Sequence, residues 1–255
     1  MRLLNISFKN QDGIELSAML DMPDDWNPLS YALFAHCFTC SKNLKALSYI
    51  SRALVDKGIA VLRFDFTGLG ESEGEFSDTN FSSNIGDLVS ASEFLKSEYE
   101  PPQLLIGHSL GGAAVLQAAE LITSVRAVVT IAAPSEPLHV ARHFESSREE
   151  IETSGEAQVS IAGREFKIKK QFIDDLQKNS MLGKIRNLKK PLLILHSPLD
   201  EVVSIDNASD IFLAAKHPKS FVSLITADHL LTDSNDSQYA GDLIAVWAKR
   251  FLLKD

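Results

Sequence analysis

The stretch Leu104-Leu105-Ile106-Gly107-His108-Ser109-Leu110-Gly111-Gly112 runs from an apolar strand through Gly-x-Ser-x-Gly. It leads at once into the helix-forming Ala113-Ala114-Val115-Leu116-Gln117-Ala118-Ala119. A serine on a sharp strand-to-helix turn is pushed above the sheet in a strained conformation, and glycine on either side tolerates the crowding. The helix that begins there points its free N–H groups at the space beside Ser109, where negative charge develops during acyl transfer. The bare pentapeptide is a weak signal, because small residues gather in ordinary turns. The strand before it, the helix after it and the third glycine at Gly112 identify a nucleophile elbow.

The sequence around the elbow alternates short apolar runs with helical patterns. Two alternating segments, 3–9 and 14–20, flank Asn10-Gln11-Asp12-Gly13, a good hairpin turn. Strands follow at 31–36 and 60–66, with a helix between them carrying Leu44, Leu47, Ile50 and Leu54 on one face and ending at Gly58. Phe81, Ile85, Leu88, Ala91 and Leu95 mark a second amphipathic helix. After the elbow come strands at 126–131, 192–195 and 221–225 and a closing helix at 240–253. This order predicts an α/β fold: a mostly parallel central sheet with helices on both faces, entered through an antiparallel hairpin. Its ligand site is expected at the carboxyl ends of the strands.

The rhythm breaks between Pro134 and Pro191. Segments 157–161 and 164–168 read as a hairpin around Ala162-Gly163, with Val159 facing Phe166 and Ala157 facing Ile168. A helix is expected at 171–182. An insertion of this size after the sixth strand, at about 135–190, is expected to sit over the site as a lid on a single domain spanning 1–255.

Length and composition fit a large one-domain enzyme: 255 residues, 45% hydrophobic and 23% charged. A net charge of -9 argues against a nucleic-acid partner and against anionic membrane surfaces. No apolar run is long enough to span a bilayer, and the N-terminus turns polar too early for a signal peptide. With only two cysteines, no disulfide framework is implied and a cytoplasmic location is the default expectation.

A serine hydroxyl needs a base to take its proton and a third group to orient that base. Asp200 follows the buried strand Leu192-Leu193-Ile194-Leu195-His196, and His229 lies just past the next strand. Ser109, Asp200 and His229 thus occur in the order nucleophile, acid, base. Asp228, adjacent to His229, and Glu201 are the weaker candidates for the acid. An oxyanion hole is expected from the backbone N–H of Leu110 and, in the loop His36-Cys37-Phe38-Thr39-Cys40-Ser41, that of Phe38.

Several motifs extend the pattern: His36-Cys37-Phe38-Thr39-Cys40-Ser41-Lys42, the loop Arg63-Phe64-Asp65-Phe66-Thr67-Gly68-Leu69-Gly70-Glu71-Ser72-Glu73-Gly74, and Asn80-Phe81-Ser82-Ser83-Asn84. With Gly163-Arg164, Ile205-Asp206-Asn207-Ala208 and His217-Pro218-Lys219-Ser220-Phe221-Val222 they cover nearly the whole chain. The sequence resembles the α/β-hydrolases, and in particular the hydrolase half of bacterial α/β-hydrolase–OsmC fusion proteins. That resemblance implies a serine hydrolase with Ser109, Asp200 and His229 as its triad. No room for an OsmC domain follows before Asp255, so the peroxide chemistry of that domain is not expected here. Many members of the wider family carry glycine where this chain has Cys37, whose Cβ narrows the choices of the oxyanion loop.

The remaining polar residues are read as structural. Cys37 and Cys40 form C-x-x-C, but one pair does not complete a zinc site, and packing is favoured over a redox switch. His139 and His143 are spaced i, i+4 without a third ligand, so a solvated helix face is expected. His36, His108 and His196 are expected to bond loop backbone, and Asp65 to fix its own loop. Gly68 and Gly70 lack the lysine and helix of a phosphate loop. No metal or cofactor is implied.

The expected function is hydrolysis of small or medium carboxylic esters through an acyl-enzyme on Ser109, with a small acyl compound as the partner. Val159, Ile161, Phe166 and Ile168 are expected to give the site an apolar wall. A serine at the elbow, where an aspartate would form an alkyl ester, argues against dehalogenase or epoxide-hydrolase chemistry. Activity is expected to fall in acid as the base protonates. Two alternatives stand: a perhydrolase-like oxidoreductase with peroxide as acyl acceptor, and a non-catalytic ligand-binding relative. The sequence leaves the oligomeric state open.

Overall fold

The structure, a computed structural model, describes residues 1–161 and 163–252. The strands β1 (Arg2–Lys9) and β2 (Glu15–Met22) form the expected entry hairpin, with Gly13 at φ 79° where a side chain would be strained. β3 (Ser30–Ala35), α1 (Lys45–Val55), β4 (Ile59–Phe64) and α2 (Phe81–Glu98) follow. α2 starts at a reciprocal cap: the Ser83 N–H donates to Asn80 Oδ1 at 2.8 Å and Ser83 Oγ accepts from the Asn80 N–H at 2.9 Å. β5 (Leu104–His108), α3 (Leu110–Leu121) and β6 (Ala127–Ile131) complete the first half.

The insertion after β6 contains a 3₁₀ segment (Pro137–Ser147), α4 (Arg148–Ser154), β7 (Glu156–Ile161), β8 (Arg164–Lys169), α5 (Lys170–Lys178) and α6 (Leu182–Arg186). The chain then returns through β9 (Leu192–His196), α7 (Asp206–Ala214), β10 (Lys219–Ser223) and α8 (Ser234–Leu252). Eight strands form one sheet in the order β1-β2-β4-β3-β5-β6-β9-β10. β1 and β2 join antiparallel, as do β2 and β4, and every pair from β4 to β10 is parallel.

Both faces of the parallel part are covered, which is why its strands read as continuous apolar runs. Leu105 and Val128 pack with Leu88 of α2 and Leu116 of α3. Their neighbours Leu104, Ile106 and Val129 turn to the other face, against Leu47 of α1 and Ile244 of α8. The period-two alternation of a strand thus builds two cores from one run of apolar residues.

The insertion departs from its expected form in detail. The β7–β8 register matches expectation, with Val159 opposite Phe166 and Ala157 opposite Ile168. Ala162 of the expected turn and Leu253 at the expected end of the closing helix lie outside the described residues. The helix expected to run to Leu182 ends at Lys178, because Asn179 leaves helical geometry (ψ 72°) and α6 begins separately. The strand expected at 221–225 lies two residues earlier. The 3₁₀ segment, α4 and α7 have too short or too polar a pattern to announce themselves.

Candidate active site

Ser109 stands between β5 and α3 at φ 54° and ψ -126°, a conformation rare for any residue but glycine. The turn is held by the Ser109 N–H donating to the Ile131 carbonyl at 2.8 Å and the Gly112 N–H donating to the Ser109 carbonyl at 2.8 Å. The flanking glycines are required by close approach. A Cβ on Gly107 would lie 2.2 Å from the Gly111 carbonyl oxygen, and one on Gly111 would lie 2.4 Å from the His36 carbonyl oxygen.

The three residues singled out from the sequence converge at the carboxyl edge of the sheet. Ser109 Oγ donates to His229 Nε2 at 3.1 Å, and His229 Nδ1 donates to Asp200 Oδ2 at 2.8 Å. All three are buried, with 8%, 9% and 8% of their surfaces exposed for Ser109, His229 and Asp200, so water competes little with these bonds. Burial alone would raise the Asp200 carboxyl. Hydrogen bonds from His196, His229 and the Val203 N–H outweigh it and hold the group well below the usual carboxylate range. Its second oxygen, Oδ1, accepts from the backbone N–H groups of Val202 at 2.9 Å and Val203 at 2.8 Å. Asp200 is therefore a fixed anion that holds the His229 ring with Nδ1 protonated and Nε2 free to accept.

The rival acids are turned elsewhere. Asp228 accepts from the Thr232 N–H at 2.9 Å and from the Thr232 hydroxyl, and Glu201 is exposed. His36, His108 and His196 bond loop backbone as expected. His36 Nδ1 donates to the Cys37 carbonyl at 2.8 Å, and His196 Nε2 donates to the Val203 carbonyl at 2.7 Å. His108 Nε2 donates to the carbonyl of His229 at 2.7 Å. Complete burial, with the charge of His229 second, lowers the His108 pKa to about 3, so this ring is neutral and its Nε2–H is the donor. The residue before Ser109 thus holds the backbone of the residue whose ring Ser109 meets. Sequence reading assigned His108 a backbone bond without indicating to which loop.

The turn after β3 carries Phe38, expected from the sequence to supply a second oxyanion donor. The Phe38 and Leu110 N–H groups make no hydrogen bond among the described residues, and both residues line a cavity of about 190 Å³ together with Ser109 and His229. Two expectations fail here. Cys37 and Cys40 are joined by a disulfide, not merely packed, since the turn brings their Cα atoms to 5.3 Å, within disulfide range. The Cys40 N–H also donates to the Cys37 carbonyl at 3.1 Å, so Phe38 sits inside a turn closed twice.

Beneath it, Asp65 accepts from the Lys42 N–H and Lys42 Nζ, each at 2.6 Å, and from the Glu71 N–H at 3.0 Å. Asp65 therefore fixes its own loop, as expected, and anchors the end of the oxyanion loop as well. Arg63, paired with Asp21 at 2.8 Å, donates to the Lys42 carbonyl at 2.5 Å.

The second failed expectation concerns the cavity wall. Only Ile161 of the four apolar residues proposed for it reaches the cavity; Val140, Phe38 and Val202 supply other parts. Val159 and Ile168 are buried within the insertion, and Phe166 packs edge-on to Phe76 with ring centroids 5.0 Å apart. His143 is exposed and His139 half-buried, so the expected solvated face holds in part. Both border the cavity beside Arg164, and burial lowers the pKa of each ring. Among the described residues no three His, Cys, Asp or Glu side chains gather as a metal-ligand set.

Residues 32–242 match the model of the alpha/beta hydrolase family. The esterase domain of a Rhodothermus marinus protein is 50% identical and superposes with a TM-score of 0.81, covering 99% of this chain and all of that one. Est1E from Butyrivibrio proteoclasticus, solved with ferulic acid, shares the fold at 22% identity and a TM-score of 0.82 over 98% of this chain and 100% of its own. Mouse palmitoyl-protein thioesterase ABHD10, mitochondrial, is 32% identical over 152 residues, 57% of this chain and 50% of that protein. The chain spans about half the length of the curated thioesterases it matches. These mitochondrial relatives overturn the cytoplasmic location expected from cysteine count, which reports redox compartment only indirectly. Among the described residues no helix is long and apolar enough to cross a membrane.

Proposed function

The chain belongs to the alpha/beta hydrolase family, and from that premise we propose that it is a serine esterase working through Ser109, His229 and Asp200. The observation that carries the reading is the unbroken hydrogen-bond relay from Ser109 Oγ through His229 to Asp200, at 3.1 and 2.8 Å, opening on an apolar cavity. A relay of this geometry gives the serine a base at the moment of attack.

Ser109 Oγ attacks the acyl carbonyl while its proton passes to His229 Nε2, and the carbonyl oxygen takes up negative charge. The Phe38 and Leu110 N–H groups stabilise that charge, each worth roughly a hundred- to a thousand-fold in rate. The imidazolium, balanced by Asp200, then gives its proton to the departing alkoxide or thiolate. Water enters, His229 takes its proton, and the resulting hydroxide releases the acid and restores Ser109. Esters and thioesters are both served by this machinery.

The cavity sets the size of the acyl group. An apolar cavity of 150 Å³ holds a benzene molecule, so about 190 Å³ accommodates an aromatic ring or a short to medium chain. The insertion acts as a lid over this space on a single hydrolase domain. The finer likeness, to the hydrolase half of OsmC fusions, rests on the sequence motifs alone.

The test is hydrolysis of p-nitrophenyl esters from acetate to laurate by wild type and Ser109→Ala. Turnover that is lost in the variant, with a maximum at short to medium chain length, supports the reading. Equal turnover by both proteins would exclude Ser109 as the nucleophile.

A further inference from the structure

The protein carries 34 acidic side chains and a net charge of -9, yet among the described residues no Asp or Glu lines the cavity that holds Ser109. What lines it instead is Arg164, with His139 and His143 beside it. Asp200 stands behind His229 and is bonded to it, so the charged side chain on the cavity lining itself is the Arg164 guanidinium.

Arg164 opens β8, paired with Ile161 at the tip of the insertion's hairpin. The next three basic residues each have an acidic partner: Lys167 pairs with Glu156 at 3.0 Å, Lys169 with Asp78, and Lys170 with Asp174 at 2.5 Å. Arg164 has no acidic partner within salt-bridge distance among the described residues. Its guanidinium lies over the Phe166 ring, 5.3 Å from the centroid. That contact orients the fork without using its N–H donors, which stay available for a planar, bidentate acceptor.

Resting on the esterase reading, we propose that Arg164 is a specificity-determining residue and that the preferred substrates are esters or thioesters bearing a carboxylate away from the scissile bond. The scissile carbonyl sits at Ser109, the apolar body occupies the cavity against Ile161 and Val140, and the carboxylate meets Arg164 at the hairpin tip. His139 and His143, neutral near pH 7, add hydrogen-bonding capacity without adding charge.

The test uses two matched pairs of esters, with wild type, Arg164→Gln and Arg164→Lys compared by kcat/KM. In one pair, 4-acetoxybenzoate and its methyl ester, the carboxylate is on the leaving group. In the other, monomethyl adipate and methyl hexanoate, it is on the acyl group. Wild type is expected to prefer the charged ester of at least one pair by about fivefold to tenfold, the scale of a partly screened ion pair. The preference should appear mainly in KM and shrink as salt is raised. Arg164→Gln should abolish it and Arg164→Lys retain part of it, and the responding pair locates the carboxylate. A charged-to-neutral ratio that Arg164→Gln does not move, or preference for the neutral ester in both pairs by wild type, would overturn this proposal alone. Failure of wild type to cleave any of the four would overturn the esterase reading and this proposal with it.

Discussion

The ring of Phe38, in the turn after β3, lies 5.6 Å from that of Phe172 on α5, centroid to centroid. The contact joins the loop proposed to carry an oxyanion donor to the insertion whose residues line the same cavity. Phe76 extends it, 5.7 Å from Phe38 and 5.0 Å from Phe166, and Phe144 stands 6.2 Å from Phe172. Polar contacts fasten the same edge: Asn80 Nδ2 donates to Gln171 Oε1 at 2.7 Å, and the Ser82 N–H donates to Asp175 at 2.8 Å.

If this aromatic cluster positions the Phe38 N–H, shaving it should reduce turnover as well as stability. Phe172→Leu keeps most of the buried volume but loses the ring contacts, at a cost of about 1 kcal/mol. The expected result is a kcat lowered by about threefold to tenfold, with thermal denaturation as the control. An unchanged kcat with a lowered Tm would assign Phe172 to packing only.

Asp200→Asn tests the tautomer argument. The Val202 and Val203 N–H groups require an oxygen at the Oδ1 position, so the new amide must present its NH₂ to His229. His229 Nδ1 would then be an acceptor, and its Nε2–H would face Ser109 as a donor, unable to take the proton. Turnover should fall by about four orders of magnitude, measured on a p-nitrophenyl ester with labelling of Ser109 by a fluorophosphonate alongside. A loss of less than about tenfold would mean that Asp200 does not set the tautomer.

Acid should unfold this protein partly through histidines. His108, at about 3 when folded, binds its proton far more readily when unfolded, in the ordinary histidine range. Its contribution to stability is complete above about pH 6.5 and is lost as pH falls toward 3, by about 1 kcal/mol per pH unit. His36, lowered chiefly by burial, acts in the same direction. Asp200 adds its loss only below about pH 4, because its carboxyl is depressed. Thermal denaturation between pH 7.5 and 4.5 should show the decline, and His108→Gln, which can still donate to the His229 carbonyl, should flatten it. A Tm independent of pH over this range would contradict the buried, neutral state of both rings.

The disulfide closes the turn around Phe38 and should matter to rate more than to binding. Cys40→Ser is expected to lower kcat by about tenfold with little change in KM, because the donor acts on the transition state. A reductant should reproduce the loss in wild type and leave a Cys37→Ser/Cys40→Ser double variant unaffected. No response to either treatment would show that the Asp65–Lys42 anchor suffices to hold the loop.

The site was legible where a local signal and the fold agree. Ser109 announced itself because glycines, strand and helix converge within a few residues. Asp200 and His229 followed because each lies just beyond a buried strand. Side-chain environment was not legible in the same way. The Cys37–Cys40 spacing fits packing or a redox-active pair, and only the turn geometry decides between them. Val159 and Ile168 have the alternation of a wall residue, but whether the covered side faces a cavity or a core depends on what packs against it. His139 and His143 look like any i, i+4 pair until the insertion folds back toward the nucleophile.

The sequence by itself determined the parallel sheet, the elbow and the chain order of the three residues, because backbone strain and strand periodicity act over a few neighbouring residues. Only the tertiary structure decided that His108 holds the backbone of His229, that Asp65 anchors the oxyanion loop and that Arg164 reaches the cavity. Those relationships join positions as far as 121 residues apart. They depend on burial and on which hydrogen-bonding groups the packed chain leaves without water, and no short-range pattern encodes either.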